Sequence, residues 1–255
     1  MYLGLRGRSA LIAASTSGLG LAAATALACE GVHVGICGRN PERLASAYER
    51  LSSYGVTVLA DRVDLTDIDA AGNWLNDVAD QFGGLDIVVT NSGGVSFGPL
   101  SQFSPSLIMQ AVHDNLTPHV ALALAALPHL RASGNGRLLM IASESIREPH
   151  ESSGLSSVAR LGVLGLMKGL VDDLGRHHAT VNVLAPGYHR TAALEKQFGN
   201  QIEGRIAEIA SRLPVGQIGA PADFGAFVAF LASDYARFVT GAVNGVDGGN
   251  TRGIH

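Results

Sequence analysis

The stretch Ala13-Ala14-Ser15-Thr16-Ser17-Gly18-Leu19-Gly20 stands between a short apolar run and an alanine-rich segment of helical spacing. A turn that opens onto a helix N-terminus presents unpaired backbone N–H groups and the positive end of the helix dipole, which is the chemistry that holds a pyrophosphate. Gly18 would let the backbone come close to the phosphate and Gly20 would let the helix lie close to the strand, although a glycine pair at such a turn also serves plain packing. A second signal follows at Gly38-Arg39-Asn40, at the end of the next apolar run. In a dinucleotide fold an adenosine ribose lies there, and an acidic side chain would bond its 2′-hydroxyl. Arg39 instead offers a planar fork suited to a 2′-phosphate; the plainer reading is a solvated arginine at a strand end.

Other chemistries are poorly supplied. The nine histidines show no HExxH or paired ligand spacing, and His177-His178 reads as a helix-end pair favoured by the dipole, so no metal site is expected. Cys29 and Cys37 lie in apolar segments and cannot build a disulfide framework, which fits free thiols in a reducing cytoplasm. A formal net charge of -4 supplies no field for a phosphate backbone and no basic cluster compensates, so no nucleic-acid partner is expected. The apolar run 10–14 is too short for a signal peptide. The greasiest stretches, 120–127 and 224–232, stop at Pro128 and Ser233, well below the ~20 residues of a membrane span, so no membrane segment is expected.

Placing the two turns side by side requires strands whose carboxyl ends are neighbours. Short apolar runs at 9–14, 32–37, 56–62, 86–90, 136–142, 180–184 and 241–246 alternate with longer stretches of helical spacing. Being nearly all apolar rather than alternating, they suit a parallel sheet covered on both faces. The expected class is α/β: a Rossmann-like doubly wound fold, mainly a seven-stranded parallel sheet, flanked by helices on both faces and joined by right-handed crossovers. With 255 residues and no repeat, low-complexity tract or linker, residues 1–255 read as a single domain. The irregular zone 188–219 is polar and helical in character before Pro221 restarts a helix, and is expected to be a substrate lid. Trp74 is expected to pack on a helix face, and Asp247 before Gly248-Gly249 to cap a turn.

Taken in order, a set of short motifs resembles the short-chain dehydrogenase/reductase family over essentially the whole chain. They are Ala14-x-x-x-Gly18-Leu19-Gly20, Asp64-Leu65, Leu85-Asp86-Ile87, Asn91-Ser92-Gly93-Gly94, Asn115-Leu116, Ser143, Pro186-Gly187 with Thr191, and Val239-Thr240-Gly241 with Val246-Asp247-Gly248-Gly249. The resemblance implies an NADP(H)-dependent oxidoreductase acting on a small-molecule carbonyl/alcohol pair. It implies that Ser15, Ser17, Gly18, Leu19 and Gly20 line the pyrophosphate, that Arg39 meets the 2′-phosphate, and that Asp64 with Leu65 holds the adenine. Asn91 and Gly93 would line the ribose region, Arg160 would bond ribose hydroxyls, and Pro186, Gly187 and Thr191 would seat the nicotinamide end. It also implies a homo-oligomer, tetramer or dimer, built through long helices around 104–130 and 154–174.

Two departures from the family pattern matter. The first turn glycine is Ala14 here, and a Cβ narrows the allowed backbone. The family's catalytic pattern is Tyr-x-x-x-Lys following the catalytic serine; in register with Ser143, those positions hold Ser156 and Arg160, and no tyrosine occurs between Tyr54 and Tyr188. A serine hydroxyl is a far poorer acid than a phenol whose pKa starts near 10 and is lowered by a neighbouring lysine. Arg160 keeps its charge but cannot relay a proton as lysine does. The expected catalytic set is therefore Ser143, Ser156, Arg160 and Asn115, the last either anchoring a relay or purely structural. The proton would come from water or a loop group, with Glu144, His150, Tyr188 and His189 as candidates and Ser145 and Glu151 close by. Three readings stay open: a redox enzyme, a non-redox dehydratase, isomerase or lyase on the same fold, and a cofactor-binding protein without catalysis.

Overall fold

The computed structural model describes residues 2–253. Strands β1 (Ser9–Ile12), β2 (His33–Cys37), β3 (Val58–Asp61), β4 (Ile87–Thr90), β5 (Arg137–Ile141), β6 (Thr180–Pro186) and β7 (Val243–Val246) form one parallel sheet in the order β3-β2-β1-β4-β5-β6-β7. All seven expected strands are present, with ends shifted by a residue or two. β1 stops at Ile12 rather than at residue 14 because the chain turns there, with Ala14 at a left-handed φ of 47°. β6 runs on to Pro186 and carries the chain deeper into the carboxyl edge than expected.

The helices are α1 (Gly18–Cys29), α2 (Pro41–Ser52), α3 (Ile68–Phe82), α4 (Pro105–Ser133), α5 (Gly154–Gly175), α6 (Ala192–Phe198), α7 (Ile202–Arg212) and α8 (Pro221–Ala232). Strand residues alternate between two cores. Leu11, Val88, Leu138 and Met140 meet Trp74, Leu122, Val163 and Met167 of α3, α4 and α5 on one face. On the other face, Ile12, Ile36, Val89 and Leu139 meet Leu27, Leu44 and Phe224 of α1, α2 and α8. Burial of strands on both sides is what their continuous apolar character demanded. Trp74 packs as expected, with its Nε1 donating to Asp61 Oδ2 at 3.1 Å. Asp247 caps the turn after β7, accepting from Gly249 N and Thr251 N at 3.0 Å each.

By length and composition α5 is apolar enough to cross a membrane, but Val163, Met167, Leu170 and Leu174 are spent in the core. Residues 188–219 fold as α6 and α7 above the carboxyl ends of the strands. Backbone bonds from Gly219 N to Tyr188 O and from Arg190 N to Gly219 O, both 2.9 Å, close the base of this insertion.

The alanine-rich character of α1 has a direct packing consequence. A Cβ on Gly225 of α8 would stand 2.5 Å from the Ala22 carbonyl oxygen of α1, so the two helices touch backbone to backbone. Gly225→Ala is expected to force them apart and cost about 1–3 kcal/mol in urea unfolding. Gly72→Ala in α3, where an added Cβ meets nothing within 4 Å, is expected to stabilise by about 0.5–1 kcal/mol through helix propensity. Equal effects at the two positions would contradict the close approach.

Candidate active site

The strand order reverses between β1 and β4, and the loops after these two strands open a crevice at the carboxyl edge. The turn into α1 lies at that crevice. Ser17, the N-cap, has extended backbone and makes no side-chain cap bond, and the first turn of α1 holds no acidic residue, so its N–H groups are left for an outside acceptor. Gly18 takes a left-handed φ of 56°. An added Cβ on Gly20 would lie 2.4 Å from the Ala14 carbonyl oxygen and 3.0 Å from Asn91 Nδ2. Asn91 Nδ2 itself donates to Ala14 O at 3.4 Å. Glycine at 20 is thus fixed by contact, while Ala14 bears left-handed strain that a glycine would not. Thr191, whose Oγ1 accepts from Leu194 N at 3.3 Å at the start of α6, faces Gly18 across the crevice.

Ser15 is placed differently from the rest of the expected cradle. Its fully buried hydroxyl donates to Ile12 O at 2.6 Å and accepts from Cys37 N at 3.2 Å, so its side chain joins β1 to β2 and has nothing left for a ligand. Beside it, burial pushes the Cys37 thiol up to about 12, which makes it inert.

Arg39 projects into solvent at the end of β2, its Nη1 3.9 Å from Asp64 Oδ2. Asp64 accepts from Thr66 N at 3.1 Å and Thr66 Oγ1 at 2.8 Å, bonds that hold its carboxyl below the ordinary range. Leu65 beside it is buried. Sequence reasoning missed Arg62, whose Nε donates to the Arg39 carbonyl oxygen at 3.2 Å and brings a second guanidinium to the same edge. Nothing lies within 4 Å of an added Cβ at Gly93, which leaves open space beside Asn91.

The expected catalytic residues come together as a chain of hydrogen bonds. Ser143 Oγ accepts from Ser145 Oγ at 3.0 Å, Ser145 Oγ pairs with Ser156 Oγ at 2.9 Å, and Arg160 Nη1 donates to Ser156 Oγ at 2.9 Å. Arg160 Nη2 then donates to the Gly93 carbonyl oxygen at 3.0 Å. Ser145 had been noted only as a nearby polar residue, yet it joins the two expected hydroxyls. Burial lowers the Arg160 pKa to about 10, which leaves it a cation at neutral pH. Asn115 Nδ2 donates to Ala111 O at 3.0 Å and its Oδ1 accepts from Ser92 Oγ at 3.2 Å, so it braces α4 against the loop after β4.

The four candidate proton donors separate. His189 is buried, bonds the Gly187 carbonyl oxygen through Nδ1 at 3.1 Å, and packs edge-on against Phe224 of α8, 5.8 Å between centroids. It therefore faces the core on the far side of the sheet from the serines. Tyr188 is half-buried, and burial together with the Glu144 charge pushes its phenol up. Glu144 is buried in a 3-10 turn (Glu144–Ile146) with Oε1 3.8 Å from His150 Nε2, and its Oε2 has no partner. His150 and Tyr188 both line a cleft of about 610 Å³ roofed by Ile209, Arg212 and Leu213 of the insertion. Pro186 ends β6 and Gly187 follows it at this edge; an added Cβ on Gly187 would stand 2.6 Å from Glu144 Oε2. Among the described residues no group of three or more His, Cys, Asp or Glu side chains is set to hold a metal ion.

A doubly wound parallel sheet with an uncapped glycine turn at its switch point is a dinucleotide-binding architecture. The family model described as enoyl-(acyl carrier protein) reductase matches residues 13–251. The chain is 31% identical over 245 residues to cis-4-hydroxycyclohexanecarboxylate dehydrogenase of Sinomonas cyclohexanicum, covering 96% of each chain. It is 30% identical to D-beta-hydroxybutyrate dehydrogenase of Cupriavidus necator, covering 96% of this chain and 98% of that one. The crystal structure of L-sorbose reductase from Gluconobacter frateurii, complexed with NADPH and L-sorbose, is similar with a TM-score of 0.92 at 27% identity over 100% of both chains. The chain belongs to the short-chain dehydrogenase/reductase family and is an oxidoreductase.

Two predictions follow from buried features of this site. Ala14→Gly removes the left-handed strain and is expected to raise stability by about 1 kcal/mol in urea unfolding; a loss would show that the Cβ is accommodated freely. His119, one turn beyond Asn115, bonds Thr90 Oγ1 at 2.6 Å and is wholly buried, which lowers its pKa from 6.5 to about 3. The folded state then stays neutral while the unfolded chain takes a proton, so this contribution is full above pH 6.5 and lost as pH falls toward 3. Between pH 7 and 5 the protein is expected to lose ~2 kcal/mol more than His119→Gln. Parallel losses in the two proteins would contradict a buried neutral imidazole.

Proposed function

We propose that the protein interconverts a small-molecule carbonyl compound and its alcohol using NADP(H). The observation that carries the choice of cofactor is the arginine pair after β2 and β3: Arg39 is exposed and held only by a loose 3.9 Å pairing with Asp64, and Arg62 is bonded to its backbone. A guanidinium fork suits a 2′-phosphate and has nothing to offer that would replace an acid at a 2′-hydroxyl. The uncapped N-terminus of α1, the glycines at 18 and 20 and the open space at Gly93 fit the remainder of a dinucleotide. The backbone of Leu19 and the free hydroxyl of Ser17 complete the pyrophosphate cradle, with Asp64 and Leu65 at the adenine and Asn91, Pro186, Gly187 and Thr191 toward the nicotinamide, while Ser15, whose N–H donates to Cys37 O at 3.1 Å, only braces the turn. When bound, the cofactor supplies or accepts hydride at the carbinol carbon.

The residues of the chain polarise and hold the substrate. Ser143 and Ser156 present hydroxyls to the carbonyl oxygen, and Ser145 fixes the spacing between them. Arg160 is anchored at Ser156 Oγ and Gly93 O, so its positive charge stands beside the oxygen that becomes negative as hydride arrives. Exposed Leu107 and Met109 on α4 and Val158 and Leu161 on α5 support a homo-oligomer, tetramer or dimer, formed through these helices. Two free cysteines support a reducing cytoplasm as its compartment.

The cofactor assignment predicts a preference for NADPH over NADH of roughly tenfold to a hundredfold, as one charge-assisted contact of about 1.5–3 kcal/mol supplies. Arg39→Ala is expected to remove most of it in calorimetric titration. Equal affinities for the two cofactors in the unaltered protein would contradict the assignment.

A further inference from the structure

The serine chain can polarise a carbonyl, but none of its members gives up a proton readily. Ser143, Ser145 and Ser156 are hydroxyls bonded to one another, and Arg160 remains charged at neutral pH. The remaining titratable groups around the cleft can be sorted by what they already hold. Glu148 accepts from the backbone of Arg252 and Gly253, and Arg212 of α7 is bonded to Glu208. Arg147 donates to the Gly253 carbonyl oxygen, and Glu151 lines the cleft as an exposed carboxylate. Tyr188 is a phenol whose proton is held more tightly than usual. His150 is left: it faces the cleft, with Nδ1 3.2 Å from Ser152 Oγ and Nε2 turned toward Glu144.

Glu144 is the residue next to Ser143, yet it does not point into solvent as a loop glutamate would. Its carboxylate is buried between its own 3-10 turn and Gly187, where any other residue at 187 would collide with Oε2. A buried carboxylate without a full set of donors is costly. The polar side chain that approaches it on the loop is the His150 imidazole, 3.8 Å away. We infer that His150 is the proton donor that takes the place of the missing phenol, and that Glu144, with Oε1 3.8 Å from its Nε2, is the positioning residue that orients it. The assignment rests on the oxidoreductase reading. In reduction, the carbonyl carbon accepts hydride from the reduced nicotinamide, the C=O π pair moves onto oxygen, and His150 N–H passes its proton to that oxygen. Alcohol, oxidised cofactor and neutral His150 result, and the imidazole regains its proton from water in the cleft. Oxidation of the alcohol runs the same path backward with neutral His150 as base.

The test compares the unaltered enzyme with His150→Gln, Glu144→Gln and Tyr188→Phe, using NADPH and an activated ketone, with His129→Gln as a surface histidine control. His150→Gln is expected to lower kcat about a hundredfold or more, to leave the NADPH dissociation constant within about twofold, and to regain turnover with added imidazole. The dependence of the reduction rate on pH is expected to weaken in that variant. Glu144→Gln is expected to lower kcat by about tenfold without raising KM, and to move the ring resonances of His150 in the cofactor-free protein. Unchanged kcat and pH profile in His150→Gln, or a loss confined to Tyr188→Phe, overturns the assignment while leaving the oxidoreductase reading intact. An unaltered enzyme that binds no NADPH, or never oxidises it, overturns both.

Discussion

The site depends on one guanidinium. Arg160 spans from α5 to the loop after β4, holding Ser156 Oγ with one nitrogen and the Gly93 carbonyl oxygen with the other. A lysine at this position would offer a point charge on a flexible stem, whereas the planar fork fixes two partners in one geometry. The loop that ends the crevice and the helix that carries the hydroxyls are thereby set relative to each other. Ser145 extends the same order to Ser143 at the end of β5, so three hydroxyls on two elements share one arrangement. The serine at 156 follows from this: a shorter side chain leaves room for a fork, and the fork in turn gives the hydroxyl a fixed donor.

Exchanging phenol and ammonium for hydroxyl and guanidinium separates two tasks that one side chain could perform together. Charge stabilisation at the oxygen stays with α5, since a half-buried cation held in fixed geometry stabilises an oxyanion that develops beside it. Proton delivery moves to the loop between β5 and α5. There a buried carboxylate and an imidazole lie beside the cleft, one sequence position away from Ser143 in the case of Glu144. The Tyr188 phenol lies in the same region, and burial together with the Glu144 carboxylate keeps that phenol from ionising.

The strands were legible in the sequence because a parallel strand buried on both faces is apolar at most of its positions, as in Ile87–Thr90, where only Thr90 is polar, and Thr180–Pro186, where Thr180 and Asn182 are the exceptions. Gly20 was legible for the same kind of reason: one contact, with the Ala14 carbonyl oxygen, forbids any other residue. The parts that were not legible depend on direction rather than type. Ser15 and Ser17 look alike in the turn, but one is buried across two strands and the other caps a helix without using its hydroxyl. His189 and His150 were both candidates, and what separates them is direction: the His189 ring is buried against Phe224, while His150 lines the cleft. Arg62 carried no signal and Ser145 stood only as a neighbouring polar residue, since each gains its place through a partner distant in the chain or through a short 3-10 turn.

The central claim is that this serine and arginine site still carries hydride between a nicotinamide and a carbonyl carbon. The most direct measurement is a single turnover with NADPH deuterated at C4, tested with each of the two C4 epimers in turn, followed by mass analysis of the alcohol formed from an activated ketone. The account predicts that one epimer alone delivers its deuterium to the carbinol carbon of the product. An alcohol carrying no deuterium from either epimer, or product formed at the same rate without cofactor, would contradict it.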